Sequence, residues 1–222
     1  MDISIFEVLG PVMVGPSSSH TAGAARLARI AALIVGRKFE RVTFGLHGSF
    51  ARTYKGHGTD KALLAGVQGI REDDERLAQA YELAKESGLK YEFYEIELDD
   101  VHENTVLLTF YCNDGTEQEI IGSSIGGGQI MICRINAFET EFSAQSHTLL
   151  MSHHDRKGVL SKITGTLSEA GVNIAVMKLD RRSKGDMAFC MIETDDPISE
   201  DVILNLRSIE EVVHVTAVAK PE

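Results

Sequence analysis

The sequence predicts an α+β protein of two domains: a mixed α/β sheet domain, then a smaller βαββαβ unit. Three observations predict it. Before residue 136, helical and alternating apolar patterns interleave along the chain. Over residues 136–147, through Ala137-Phe138-Glu139-Thr140-Glu141, the apolar patterning relaxes, as at a domain boundary. Beyond it, strand and helix signals recur in the order β-α-β-β-α-β within about seventy residues. The expected domains are 1–142 and 148–222.

Each element of the first domain has its own signal. Ser4 and Glu7 have capping-box spacing for a short helix that Gly10-Pro11 ends, with extended chain from Pro11 to Gly15. From His20 to Val35, Ala24, Leu27, Ala28, Ala31, Ile34 and Val35 recur at helical spacing, and Gly36 with Arg37-Lys38 marks the end. Arg26 and Arg29 fall on the side expected to be exposed. Val42 to His47 alternates as a strand. The glycine-dense Gly48–Asp60 reads as a loop before a second helix over Lys61–Ile70, with Thr59 or Asp60 as its N-cap. Asp73 to Ser87 reads as one charged amphipathic helix that Gly88 ends. Tyr91–Leu98 and Thr105–Cys112 read as strands, and Asn113-Asp114-Gly115 as a hairpin turn into Thr116–Ile121. Gly122-Ser123-Ser124-Ile125-Gly126-Gly127-Gly128-Gln129 reads as a glycine loop that admits a small ligand or another chain's backbone. It lacks the Lys-Ser/Thr ending of a phosphate loop and leads into a strand, Ile130–Ile135, which argues against nucleotide.

In the second domain, Thr148–Ser152, Val172–Asp180, Met187–Thr194 and Val212–Val218 read as strands. Helices are expected from Val159 to Ala170 and from Ile198 to Leu206. That order is the split-βαβ, ferredoxin-like arrangement.

Composition narrows the function. The net charge of −11 argues against nucleic acid as a partner. Much of it is local: residues 71–103 carry twelve acidic and four basic side chains, which read as a solvated face and not a ligand site. No run of 18 apolar residues exists, so no membrane span is expected. The start, Met1-Asp2-Ile3-Ser4-Ile5-Phe6-Glu7, has no basic n-region, so no signal peptide is expected. Cys112, Cys133 and Cys190 are far apart, odd in number and set in apolar runs, which fits buried thiols in a reducing cytoplasm. Eight histidines show no His-x-x-x-His spacing, so a stand-alone metal hydrolase ranks last.

One stretch carries the chemistry: Gly15-Pro16-Ser17-Ser18-Ser19-His20-Thr21-Ala22-Gly23, where a helix should begin. Unpaired N–H groups and a partial positive charge at a helix start attract anions, and serine hydroxyls cap such an end or bond a carboxylate. His20 adds a group that moves protons near neutral pH. The second candidate is His57, set between Gly56 and Gly58 with little steric cover. Asp60 has the spacing either to set a histidine's tautomer or to cap a helix.

Two resemblances follow from these motifs. Asp155-Arg156-Lys157-Gly158-Val159-Leu160 and Gly171-Val172-Asn173-Ile174, with the order of elements around them, resemble the ACT domain, an amino-acid-sensing module. The resemblance covers roughly residues 148–219. It implies an effector site at Asp155, Arg156, Lys157, Gly158 and Asn173, completed across a homodimer. Backbone N–H groups at that helix start can hold a carboxylate, and an asparagine can bridge. Gly15-Pro16-Ser17-Ser18-Ser19-His20-Thr21, Gly48-Ser49 with Gly56-His57-Gly58-Thr59-Asp60, and Gly122-x-Ser124-Ile125-Gly126-Gly127-Gly128 resemble the beta chain of the iron–sulfur-dependent L-serine dehydratases. That family's beta portion is related to an allosteric substrate-binding domain in some phosphoglycerate dehydrogenases.

The second resemblance implies an L-serine ammonia-lyase that forms pyruvate and ammonia without pyridoxal phosphate. It implies a 4Fe-4S cluster, with an open iron for the leaving hydroxyl, whose cysteines belong to a partner alpha chain. This chain, with no cysteine cluster, is expected to hold no metal by itself. His57 is the expected proton-transfer residue, with His20 sharing that work or orienting substrate. Ser17, Ser18, Ser19, Thr21, Asp60, Gly126 and Gly127 are the expected substrate-binding positions. The competing expectation is a non-catalytic subunit that senses an amino acid through the serine turn or the ACT domain. A third is an ACT domain that only dimerises.

Overall fold

Alternating apolar residues draw the first unit's strands into one sheet, and two alanine-rich helices close over it. The computed structural model describes residue 13 and residues 15–220, which divide into two units, Met1–Ser143 and Ala144–Glu222. The helix expected at Ser4–Glu7 and the extended segment that opens at Pro11 lie outside the described residues, except for Met13 and Gly15.

The first unit begins with a single wide turn of π-helix, Ser18–Gly23, that runs into α1 (Ala24–Val35). Next come β1 (Phe39–Leu46), α2 (Gly48–His57), α3 (Thr59–Val67), a 3-10 turn (Glu75–Gln79) and α4 (Ala80–Ser87). The strands β2 (Lys90–Glu95), β3 (Thr105–Cys112), β4 (Glu117–Gly126), β5 (Gln129–Ile135) and β6 (Phe138–Phe142) follow. Sheet order is β2-β1-β3-β4-β5-β6; β1 and β2 are parallel and the other pairs antiparallel. Val106, Leu108 and Phe110 on β3 and Ile130 and Ile132 on β5 are fully buried.

Helices α1 and α3 pack closely because their shared seam is built of small residues: Ala24, Ala25 and Ala28 against Ala62, Ala65 and Gly66. A Cβ on Gly66 would stand 2.2 Å from the Ala25 carbonyl oxygen, so only glycine allows this approach.

Four expectations need correction. Gly48–Asp60 is not a loop. It forms α2 and the start of α3, broken only at Gly58, whose φ of +68° ends one helix and caps the next. Its glycines masked the helix, which is anchored by the buried Phe50 and by Thr53, whose hydroxyl bonds the Ser49 carbonyl. Gly122–Gln129 is mostly strand, with only a tight turn at its tip, because Gly122, Ser123 and Ser124 are small residues buried under neighbouring elements. The apolar pattern does not relax over 138–142: Phe138 and Phe142 are buried and make β6 the last strand of the sheet, and the units divide after Ser143. Arg26 and Arg29 are half-buried, and Arg29 pairs with Glu72 at 3.5 Å. In addition, residues 73–87 split into a 3-10 turn capped by Asp74 and the helix α4.

The second unit contains β7 (His147–His154), α5 (Val159–Glu169), β8 (Ile174–Arg181), β9 (Met187–Thr194), α6 (Glu200–Arg207) and β10 (Val212–Val218). Its antiparallel sheet runs β10-β7-β9-β8, the split-βαβ order. Leu149, Met151, Cys190, Ile192 and Val215 of the sheet pack with Val159, Ile163 and Leu167 of α5 and Val202, Ile203 and Leu206 of α6. Among the described residues, no helix is long and apolar enough to cross a membrane.

Candidate functional site

Ser17 sits in extended backbone at the head of the π-turn, and its Oγ accepts a hydrogen bond from the His20 N–H at 3.1 Å. Its carbonyl accepts from both Thr21 N (3.0 Å) and Ala22 N (3.2 Å). The second bond spans five residues and widens the turn. One extra residue per turn shifts the phase of what precedes it, which lets the serine turn and His20 face away from the α1 core stripe.

The histidine ring is held on several sides. His20 Nε2 lies 3.0 Å from Ser49 Oγ at the start of α2, and Nδ1 lies 3.5 Å from Ser17 Oγ. Phe50 meets the ring edge-on at 5.5 Å between centroids, and the His57 ring lies 4.8 Å away, tilted by 36°. Burial first, and the nearby His57 second, hold the His20 imidazole below its ordinary value of 6.5. His57 is the last residue of α2 and is exposed. The Thr21 hydroxyl donates to the His57 carbonyl at 3.1 Å and ties the end of α2 to the π-turn. The serine turn and the Gly-His-Gly segment, separate in sequence, therefore form one surface. Ser19 joins the sheet as well: its carbonyl accepts from Ser124 Oγ on β4 at 2.8 Å.

Other expected positions are placed differently. Asp60 turns to Tyr81: the tyrosine hydroxyl donates to Oδ2 at 2.5 Å, and Oδ1 takes the Lys61 N–H at 2.9 Å. Burial and this carboxylate push the Tyr81 hydroxyl well above its ordinary range. Gly126 and Gly127 form the β4–β5 turn at φ +101° and +60°. Arg26 Nη1 reaches the Gly128 carbonyl of the same turn at 3.4 Å.

A cavity of about 420 Å³ opens at the head of α2, lined by His47, Gly48, Arg52, Glu95, Glu97 and Glu103 among others. Its acidic rim is a poor seat for a carboxylate, and Arg52 there is already paired with Glu103 at 2.5 Å. The serine turn offers hydroxyls and a helix start.

In the second unit, Gly158 takes φ +87° and starts α5. The Asp155 carboxylate accepts from Gly185 N (3.1 Å) and from Arg181 Nη1 (2.7 Å), which in that order hold it below the usual carboxylate range. Arg156 and Lys157 are exposed. Asn173 Nδ2 donates to Asp195 at 2.6 Å, beside the Ile174 end of β8, whereas Asp155 lies by the Arg181 end. At the ordinary rise per strand residue those ends are roughly 20–25 Å apart. Asp155 to Gly158 cluster at one place; Asn173 of the same chain does not join them.

Reading the sequence picked out Ser49 and Ser124 only as motif residues, without a place in the site, and missed Phe50. Their contacts with the serine turn span 29 and more residues, and no periodicity announces them.

Comparison with known proteins matches these two units. The serine dehydratase beta chain family matches residues 4–134, and the ACT domain family matches residues 147–211. The chain is 41% identical over 210 residues to the "L-serine dehydratase, beta chain" of Peptoniphilus asaccharolyticus, covering 94% of this chain and 95% of that one. It is 39% identical over 216 residues to the "Probable L-serine dehydratase, beta chain" of Bacillus subtilis (strain 168), covering 97% and 98%. A D-3-phosphoglycerate dehydrogenase of Archaeoglobus fulgidus is 23% identical over 198 residues, which are 88% of this chain and 37% of that protein. On the strength of a match that spans both units and nearly all of two relatives, the chain belongs to the serine dehydratase beta chain family and carries an ACT domain behind its first unit.

Proposed function

We propose that this chain is the beta subunit of an L-serine ammonia-lyase that forms pyruvate and ammonia, with the catalytic surface on residues 1–142 and an ACT domain over 148–222. The observation that supports it most is the convergence of Ser17–Ser19, His20 and His57 on one surface. In this reading the N–H and hydroxyl groups of the serine turn bind the substrate carboxylate, helped by the partial positive charge of the helix start. Thr21 fixes the His57 backbone, and exposed His57 takes the α-proton. His20, kept neutral by burial and by its neighbour, orients substrate through the ring nitrogen that Ser49 does not hold. Gly126 and Gly127 are assigned to its border, on the β4–β5 turn, whereas Asp60, engaged by Tyr81 and Lys61, has no part in it.

The cysteines of this chain do not fit a 4Fe-4S cluster. Cys112 and Cys190 are buried in different sheets, Cys190 is pushed up to about 12 by burial, and Cys133 lies beside Ser123 at 3.8 Å. Among the described residues no three His, Cys, Asp or Glu side chains group to hold a metal ion. The cluster is accordingly assigned to a separate alpha chain, with which this subunit works in the cytoplasm.

The test is reconstitution with the alpha chain. His57→Ala is expected to lower kcat by about 10²–10⁴, with cluster content unchanged by iron and sulfide assay. Wild-type turnover in both His57→Ala and His20→Ala sinks the catalytic assignment.

One observation favours a second reading. The same pair of units aligns with proteins named D-3-phosphoglycerate dehydrogenase, which bear a different name and are longer. In that reading the serine turn binds an amino acid as an effector only. Calorimetric binding of L-serine that is lost in Ser18→Ala, with maximal rate intact in the assembled enzyme, selects it.

For the ACT unit the proposed partner is a second copy. β8 is an edge strand that exposes Val176 (39%) and Leu179 (43%), apolar side chains on a row of backbone groups able to pair. Antiparallel β8–β8 pairing brings the Asn173 end of one copy to the Arg181 end of the other, beside Asp155, Arg156, Lys157 and Gly158. The effector site divided along one chain is thereby completed.

A further inference from the structure

The segment Gly122-Ser123-Ser124 is strand, so its small residues need another explanation than ligand access. The structure supplies it. α1 and the π-turn press directly on β4: a Cβ on Gly122 would meet Leu27 Cδ1 at 2.5 Å, and a Cβ on Gly23 would meet Ser124 Oγ at 2.0 Å. Ser124 is fully buried, and its hydroxyl is satisfied by the Ser19 carbonyl at 2.8 Å across 105 residues of sequence.

The strand side of this contact is fixed in turn. Ser124 N–H bonds the Asn104 carbonyl at 2.9 Å, Asn104 Nδ2 reaches the Ser124 carbonyl at 3.5 Å, and the neighbouring Ser123 and Thr105 hydroxyls meet at 2.6 Å. A π-turn is less favourable than the α-helix it leads into and persists where surrounding structure supports it. Ser19 lies inside that turn and immediately precedes His20.

We infer that Ser124 is a positioning residue: its hydroxyl, held by β4, fixes the π-turn that presents Ser17–Ser19 and His20, without touching substrate. This rests on the reading of the serine turn as the substrate site. A glycine at 23 and a serine at 124 form one fitted contact, so the glycine–serine motif on β4 acts on the site from beneath.

The test uses the full chain and the enzyme assembled with its alpha chain. In Ser124→Ala, hydrogen exchange at the Thr21 and Ala22 amides, both bonded to the Ser17 carbonyl, is expected to speed up about ten-fold, while the Leu107 and Phe110 amides of β3 keep their protection. KM for L-serine is expected to rise roughly ten-fold, with kcat changing less. Gly23→Ala, which displaces the hydroxyl from the other side, is expected to give the same split. Unchanged exchange at Thr21 and Ala22 overturns the inference. So does faster exchange with unaltered KM and kcat. Loss of protection across β3 as well makes Ser124 a folding residue and also overturns it. His20→Ala in the same assay separates the two readings: wild-type kinetics there sinks the substrate site itself, whereas a defective His20→Ala beside a native Ser124→Ala sinks only the role of Ser124.

Discussion

The His20 and His57 rings lie 4.8 Å apart, and a proton on His20 is costly there. His20 is the more enclosed, and its value is lowered by burial and then by His57. The unfolded chain therefore binds a proton at His20 that the folded chain refuses, in the window between the lowered value and about 6.5. Stability is expected to be fully present above that window and to fall as pH drops through it. Urea denaturation of the full chain across that pH range measures the slope, and His20→Gln is expected to flatten it. A slope unchanged by His20→Gln removes His20 from the account. Both histidines stood out in the sequence by their company, a serine run and a pair of glycines. Their juxtaposition did not, because Ser49, Phe50 and Thr21, which hold the rings together, are ordinary residues in the linear order.

Elements meet here through glycines chosen for closeness. Gly66→Ala would drive a methyl group onto the Ala25 carbonyl at 2.2 Å, so α1 and α3 must move apart. The expected loss is about 1–3 kcal/mol, read by chemical denaturation; a neutral result means that the seam can open to admit a methyl group. Gly58→Ala differs in kind. Nothing lies within 4 Å, so only its left-handed φ of +68° is penalised, by about 1–2 kcal/mol. That strain falls one residue after His57, so a fall in kcat of the assembled enzyme larger than any fall in stability is expected. Glycine density suggested a loop at residues 48–60, whereas the structure has two helices. Glycine disfavours a helix by only about 1 kcal/mol, less than the burial of Phe50 and the packing of α3 return.

The edge strand β8 exposes Val176 and Leu179. Val176→Lys with Leu179→Lys on β8 is expected to convert the proposed homodimer to monomer by analytical ultracentrifugation, as charges on an edge strand prevent pairing. An unchanged mass places the interface elsewhere. Thiol labelling offers a second reading at this scale. Half-buried Cys133 is expected to react in the native chain well before Cys190, which burial pushes up to about 12, and unfolding is expected to equalise them. Fast native labelling of Cys190 means that the core around Met151 and Ile192 opens. The acidic stretch 71–103 is mostly solvated, but three of its twelve acids, Glu72, Glu92 and Glu103, pair with Arg29, Arg41 and Arg52 from other elements.

Periodicity and chain order determined the α+β class, the βαββαβ unit and the placing of the serine turn at a helix start, because each depends on residues within a few positions of one another. Only the tertiary structure decided that Gly122–Ser124 is buried strand, that Asp60 answers to Tyr81, that Asn173 stands apart from Asp155, and that His20 faces His57. Those are contacts between residues distant in the chain, and their energies depend on how elements pack, which local pattern does not encode.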